Sequence, residues 1–149
     1  MYEYEIREVT KVVDGDTLDL AIDLGSSVSV TERFRIYAIN APETRSTDVK
    51  EKAAGLVTKD VVAKLLGAQT EALQVKTHTD GKEKYGRYLA EIYFKCDETG
   101  HVLAAPKSLS DYLIEQKLAV AYFGGKRYAC TSHKASLLCL LAIQVHVHR

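Results

Sequence analysis

The sequence predicts an α+β, mainly β domain, and two observations carry that expectation. Three strand-like runs follow one another from residue 2 with only short turns between them, which suits an antiparallel meander and argues against βαβ units. Near residue 48 the period changes to that of one helix, and strand alternation resumes after residue 72. A chain of 149 residues suits one domain, burying about two thirds of the surface its unfolded form exposes.

The first run, Tyr2 to Val13, sets Tyr2, Tyr4 and Ile6 against Glu3, Glu5 and Arg7, the pattern of a half-buried strand. Asp14-Gly15 is a hairpin dipeptide, because glycine accepts the positive φ of such turns and aspartate tolerates it. Leu18, Leu20, Ile22 and Leu24 then share one parity and Thr17, Asp19, Ala21 and Asp23 the other, a strand with one core face. Asp16 has the parity of the leucines. A carboxylate there is either a solvated turn residue or needs a partner such as a metal or an arginine.

After a turn at Gly25-Ser26-Ser27, residues Val28 to Ile39 read as a third strand with Phe34, Ile36 and Ala38 on one face and Arg35 and Tyr37 on the other. Pro42 cannot donate to a sheet and biases Ala41 toward an extended conformation, so the strand stops near Ile39 and delivers Asn40 and Glu43 onto a loop. Loops held by a rigid scaffold are where catalytic groups concentrate.

Asp48 with Glu51 resembles a capping signature, and Val49, Ala53, Leu56, Val57, Val61 and Leu65 fall at helical spacing before Gly67. Gly55 weakens that helix by about 1 kcal/mol relative to alanine, and close packing on a sheet is one reason to keep it. Residues 72–79 and 87–95 read as fourth and fifth strands, the latter with Tyr88, Ala90, Ile92 and Phe94 on one face. Between them, Lys82 to Arg87 fits a phosphate grip with an aromatic platform and equally a polar hairpin loop. Cys96 to Gly100 turns, and Ser108 with Asp111 caps a short helix carrying Leu109, Tyr112, Leu113 and Leu118. Three strands, a helix, two strands and a helix make a five-stranded OB-type barrel with two or three helices.

Charge is balanced overall, 20 basic against 20 acidic residues, so no broad positive field advertises nucleic acid. Residues 1–123 carry a net charge of −4, whereas residues 124–149 hold Lys126, Arg127, Lys134 and Arg149 and no acid. An anionic ligand would therefore be held by local arginines and lysines, or by a metal. Cys96, Cys130 and Cys139 are odd in number and lack close metal-type spacing, which fits free thiols in a reducing compartment. No signal peptide is visible, which fits an intracellular or virus-encoded protein, and the apolar run from Leu137 to Val145 is too short to span a bilayer. His146 and His148 alternate as a strand pair, a weak metal signal without a third ligand.

Three segments, Val13-Asp14-Gly15-Asp16-Thr17, then Arg35 through Asn40-Ala41-Pro42-Glu43-Thr44, then Lys84-Tyr85-Gly86-Arg87, resemble in order and spacing the signatures of the staphylococcal (micrococcal) nuclease family. The resemblance covers roughly residues 8–123. It implies an OB barrel that cuts DNA and RNA at the 5′ O–P bond with calcium, leaving 3′-phosphates. It further implies Asp16, Asn40 and the Ala41 carbonyl as metal ligands and Glu43 as the group that activates or orients water. Arg35 and Arg87 would clamp the phosphate, and Lys84, Tyr85 and, as a looser match, Tyr122 would contact the substrate. Two arginines suit a bidentate fork on phosphate where lysine would be a point charge.

Two features depart from the family's pattern. Its usual second ligand is aspartate, and Asn40 removes one charge, so weaker calcium binding or preference for another divalent cation is expected. The other departure is the apolar stretch within residues 124–149, where the family places a charged amphipathic helix. A domain spanning 1–123 is expected, followed by this atypical C-terminal segment, which would act as a packing element or a self-association surface or reflect a shifted reading frame. DNA or RNA is the expected partner, a membrane is not, and the expected state is a monomer, with self-association through that segment as the alternative. Competing functions are an OB module that binds single-stranded nucleic acid without cutting it, which the water-activating Glu43 beside Arg35 and Arg87 disfavours, and an OB domain used only for protein contacts.

Overall fold

A computed structural model of the protein describes residues 1–78 and 84–123. Readings that rest on Asp80-Gly81, on Lys82 and on residues 124–149 lie outside them. The chain runs β1 (Tyr2–Asp14), β2 (Thr17–Gly25), β3 (Val28–Ile36), β4 (Ile39–Asn40), α1 (Val49–Gly67), β5 (Leu73–Thr77), β6 (Tyr88–Cys96), β7 (Val102–Ser108), α2 (Leu109–Glu115) and β8 (Val120–Ala121).

Five strands close a mixed barrel. Strand β1 pairs antiparallel with β2 from Glu5 to Asp14 and with β5 through Tyr2 to Ile6. Strand β2 pairs antiparallel with β3, and β5 with β6. A short parallel pairing of β3 with β6, Phe34 opposite Tyr88 and Ile36 opposite Ala90, completes the ring. Register shifts at three places in β1 let one long strand bend and serve two neighbours, as bulges do at barrel corners. The expected α+β, OB-type barrel with two or three helices is the observed architecture, with two helices among the described residues and β7 added outside on β6.

Alternation within the strands fills the interior. Leu18, Leu20, Phe34, Ile36, Val75, Ile92 and Phe94 are almost wholly buried, each contributing roughly 2 kcal/mol through the surface it removes from water. Leu24, expected on that face, is exposed at the end of β2, beside the turn at Gly25. Leu109 and Leu113 seal one side from α2.

The third strand is shorter than its pattern predicts. It ends at Ile36, Ala38 takes φ 66°, and Ile39–Asn40 form a separate strand paired with β8. Backbone bonds make this break: Tyr37 N donates to Ala90 O, and Ala38 O accepts from Tyr122 N, each at 2.8 Å. Strands β7 and β8 were not expected from the sequence. Strand β7 lacks alternation and contains Pro106, which an outer strand tolerates.

Helix α1 begins as expected, with the Asp48 carboxylate accepting from Lys50 N at 2.9 Å. Glu51, however, takes its hydrogen bond from the Ser46 hydroxyl instead of closing a capping box on Asp48. Its buried face also differs: Gly55, Thr58, Val62, Leu65 and Leu66 are buried, while Val49 and Leu56 of the expected face are exposed. Gly55 packs against the loop at Pro42 and Glu43, not against the sheet. At α2, Ser108 occupies the cap position without a side-chain cap bond.

Candidate functional site

The β1–β2 turn places Asp16 at the start of β2 with its side chain turned inward, as its parity predicts, and it is only 5% exposed. A carboxylate so placed needs compensation, and three donors provide it. Thr17 Oγ1 donates to Oδ1 at 3.1 Å, and Oδ2 accepts from Arg35 Nη1 at 3.2 Å and from Ala41 N at 2.9 Å. Of the two partners the sequence offered for this carboxylate, the arginine is present.

Arg35 reaches Asp16 because β2 and β3 align Thr17 with Arg35. The guanidinium is itself buried, donates Nη2 to Ile39 O at 3.0 Å and to Asn40 Oδ1 at 3.5 Å, and lies 5.9 Å from the ring centre of Tyr122. Asp16 and Asn40 therefore share one guanidinium, which brings their side-chain oxygens to a common place. Arg87, next to the start of β6, joins through Thr17: its Nη1 stands 3.5 Å from Thr17 Oγ1. The Arg87 guanidinium lies 5.3 Å from the Tyr85 ring centre, and Lys84 Nζ lies 5.8 Å from the same ring. Tyr85 is largely exposed and Gly86 takes φ 76°, so the Lys84–Arg87 turn presents an aromatic face to solvent.

Glu43 lies two residues beyond Ala41, exposed on the loop between β4 and α1. The next residue fixes that loop to the β1–β2 turn, because Thr44 N and Thr44 Oγ1 both donate to Asp14 Oδ1, at 3.2 and 2.5 Å. Asp14 was read from sequence as a turn residue only; its distance of 30 positions from Thr44 hid the second role. Thr17 and Thr58 were likewise overlooked. Thr17 links Asp16 to Arg87, and the buried Thr58 Oγ1 lies 3.1 Å from Leu118 O, tying α1 to the segment before β8.

Calcium takes six to eight oxygen ligands, preferably charged. Asp16 and Asn40 supply a hard, oxygen-only set, so the donors suit such a cation in kind. In strength the set is poor: one oxygen of Asp16 already faces Arg35, Asn40 is neutral, and among the described residues no three His, Cys, Asp or Glu form a metal-binding group.

The site thus consists of a closed OB-type barrel with two arginines converging at one Asp-Thr pair. The chain belongs to the staphylococcal nuclease family: residues 33–141, well over half of it, match the family model described as staphylococcal nuclease homologue. No protein of curated function matches the chain. Among the described residues no helix is long and apolar enough to cross a membrane.

Proposed function

We propose that the protein is a metal-assisted nuclease hydrolysing phosphodiester bonds of DNA or RNA. The observation that carries this reading is the convergence of Arg35 and Arg87 on Asp16 and Thr17, with Glu43 on the adjoining loop.

A scissile phosphate at this place would meet two guanidinium groups. Arg35 spends donors on Asp16 and the Ile39 carbonyl and has others left among its five N–H groups, so it is oriented before substrate arrives. Such preorganised donors stabilise the extra negative charge of the pentacoordinate phosphorus. Glu43 accepts a proton from the attacking water, whose oxygen forms the new bond to phosphorus; the bond to the 5′ oxygen breaks, that oxygen takes a proton from solvent water as it leaves, and Glu43 returns its proton to solvent. Tyr85, Lys84 and Tyr122 flank the path of the strand, the first as a stacking surface. Asp16, Asn40 and the Ala41 carbonyl would hold a calcium or related divalent cation, which supplies further charge neutralisation at the phosphate.

Incubating the full chain with denatured DNA, with calcium or with a chelator, tests the reading. Calcium-dependent cutting that falls to a small, measurable residual rate in Glu43→Gln and is lost in Asp16→Ala is expected. Binding without cutting under saturating metal would instead mark an OB module that holds single strands, and neither binding nor cutting would leave only a protein-contact domain.

A further inference from the structure

Helix α1 touches both loops of the proposed site, and it meets the Glu43 loop through its smallest residue. A Cβ on Gly55 would stand 2.8 Å from both the carbonyl carbon and the carbonyl oxygen of Glu43 and 2.9 Å from Pro42 O. These obstacles are backbone atoms, which cannot swing aside as the end of a long side chain can. Gly67, at the other end of the same helix, has nothing within 4 Å of its would-be Cβ, so the close approach belongs to position 55 and not to the helix as a whole.

One turn further along, Thr58 is fully buried and meets the other loop. A Cβ on Gly15 would lie 2.4 Å from Thr58 Cγ2 and 3.0 Å from Ala41 Cβ. The helix therefore supports the turn that carries Asp16 and the loop that carries Glu43 within one turn of its length. The Glu43 loop is also clasped to the β1–β2 turn by the two hydrogen bonds from Thr44 to Asp14.

We infer that Gly55 and Thr44 are positioning residues that together fix the main chain of Glu43, one by close packing and one by hydrogen bonds, and so set its carboxylate against the site. The inference rests on the nuclease reading for its consequence in rate, though not for its geometry. Glu43 is exposed, and a long carboxylate on an exposed loop acts as a base only where its anchor is held; displacement by about 1 Å costs on the order of 100-fold in rate. An added methyl at residue 55 must move either the helix or the Glu43 carbonyl.

The test compares full-length wild type, Gly55→Ala, Gly67→Ala and Thr44→Val, each also in a Glu43→Gln background, on single-stranded DNA with calcium. Gly55→Ala and Thr44→Val should each lower kcat by about 10- to 100-fold with KM within about threefold, and Gly67→Ala should match wild type. Because the two residues act through Glu43, their effects should disappear in the Glu43→Gln background. Undiminished kcat in folded Gly55→Ala, or losses that persist in full in the Glu43→Gln background, would overturn the inference. Thr44→Val adds no atom to the helix contact and carries the same test should Gly55→Ala not fold. If wild type cuts nothing, the nuclease reading fails separately, and amide NMR still decides the geometry. Glu43 and Thr44 resonances must then move in Gly55→Ala and stay in Gly67→Ala; resonances unmoved in both would sink the positioning role.

Discussion

Arg35 Nη1 donates to Asp16 Oδ2 at 3.2 Å, and both side chains are about nine-tenths buried. The pair makes the heart of the site electrically balanced in the absence of any added cation. Had position 40 been aspartate, the same guanidinium would face two carboxylates.

Removing one partner of a buried pair leaves the other uncompensated, at a cost of about 3 kcal/mol. Asp16→Ala should therefore lower stability to urea by roughly that amount, beyond its effect on cleavage. The double variant Asp16→Ala/Arg35→Met should recover part of the loss, since neither charge is then buried alone. Equal urea midpoints for Asp16→Ala and wild type would show that Arg35 finds other partners there.

The same balance predicts the behaviour of Asn40→Asp. A second carboxylate beside Asp16 should raise calcium affinity by about tenfold or more, because hard cations favour charged oxygens. Without calcium the variant should melt at a lower temperature than wild type, as two carboxylates compete for Arg35. Titration calorimetry and melting curves with and without calcium check both halves, and unchanged affinity would remove Asn40 from the cation site.

Strand parity made much of this legible in the sequence. Asp16, with the parity of Leu18 and Leu20, pointed either to a solvated turn or to a partner such as an arginine, and the three signature segments fell in family order. What stayed hidden was made by backbone and by distance. The break after Ile36 depends on main-chain bonds from Tyr37 and to Ala38, which leave no mark in residue type. The buried face of α1 was misjudged because Gly55 and Thr58, not large apolar residues, meet the site loops. Asp14 looked complete as a turn residue until Thr44 was placed beside it.

Gln69 spends its whole amide on holding the end of α1 to β6. Its Oε1 accepts from Lys95 N at 3.1 Å and Cys96 N at 2.9 Å, while Nε2 donates to Leu65 O at 2.9 Å and Cys96 O at 2.6 Å. Gln69→Leu keeps the bulk and orphans four backbone groups, two of them N–H donors, so a loss of about 3 kcal/mol is expected. Amide hydrogen exchange at residues 95 and 96 should accelerate in step. Unchanged protection there would mean that water replaces the side chain without penalty.

The barrel carries a second polar knot on β6, and its pH response can be worked out from its wiring. Tyr93 Oη donates to Glu91 Oε2 at 2.5 Å, and His78 Nε2 lies 2.8 Å from Glu91 Oε1. The bond to Glu91, then burial, then the Glu91 charge push the Tyr93 hydroxyl up to about 12 from 10.0. A raised folded pKa means that the folded protein holds this proton more tightly than the unfolded chain. The stability it contributes is complete below pH 10 and is lost as pH rises through about 12. At Glu91, burial works to raise the carboxyl, and the hydrogen bonds from Tyr93 and His78 outweigh it, so the group lies below 4.5. Its contribution is present above that value and is lost as pH falls through the lowered one. Tyr93→Phe should therefore cost about 1 kcal/mol near neutrality. The gap from wild type should close between pH 10 and 12 as wild type loses its advantage, and also at the acid end as Glu91 protonates. Urea unfolding of both proteins across this range reads the difference directly, and a gap constant with pH would show that Tyr93 stabilises the barrel by packing alone.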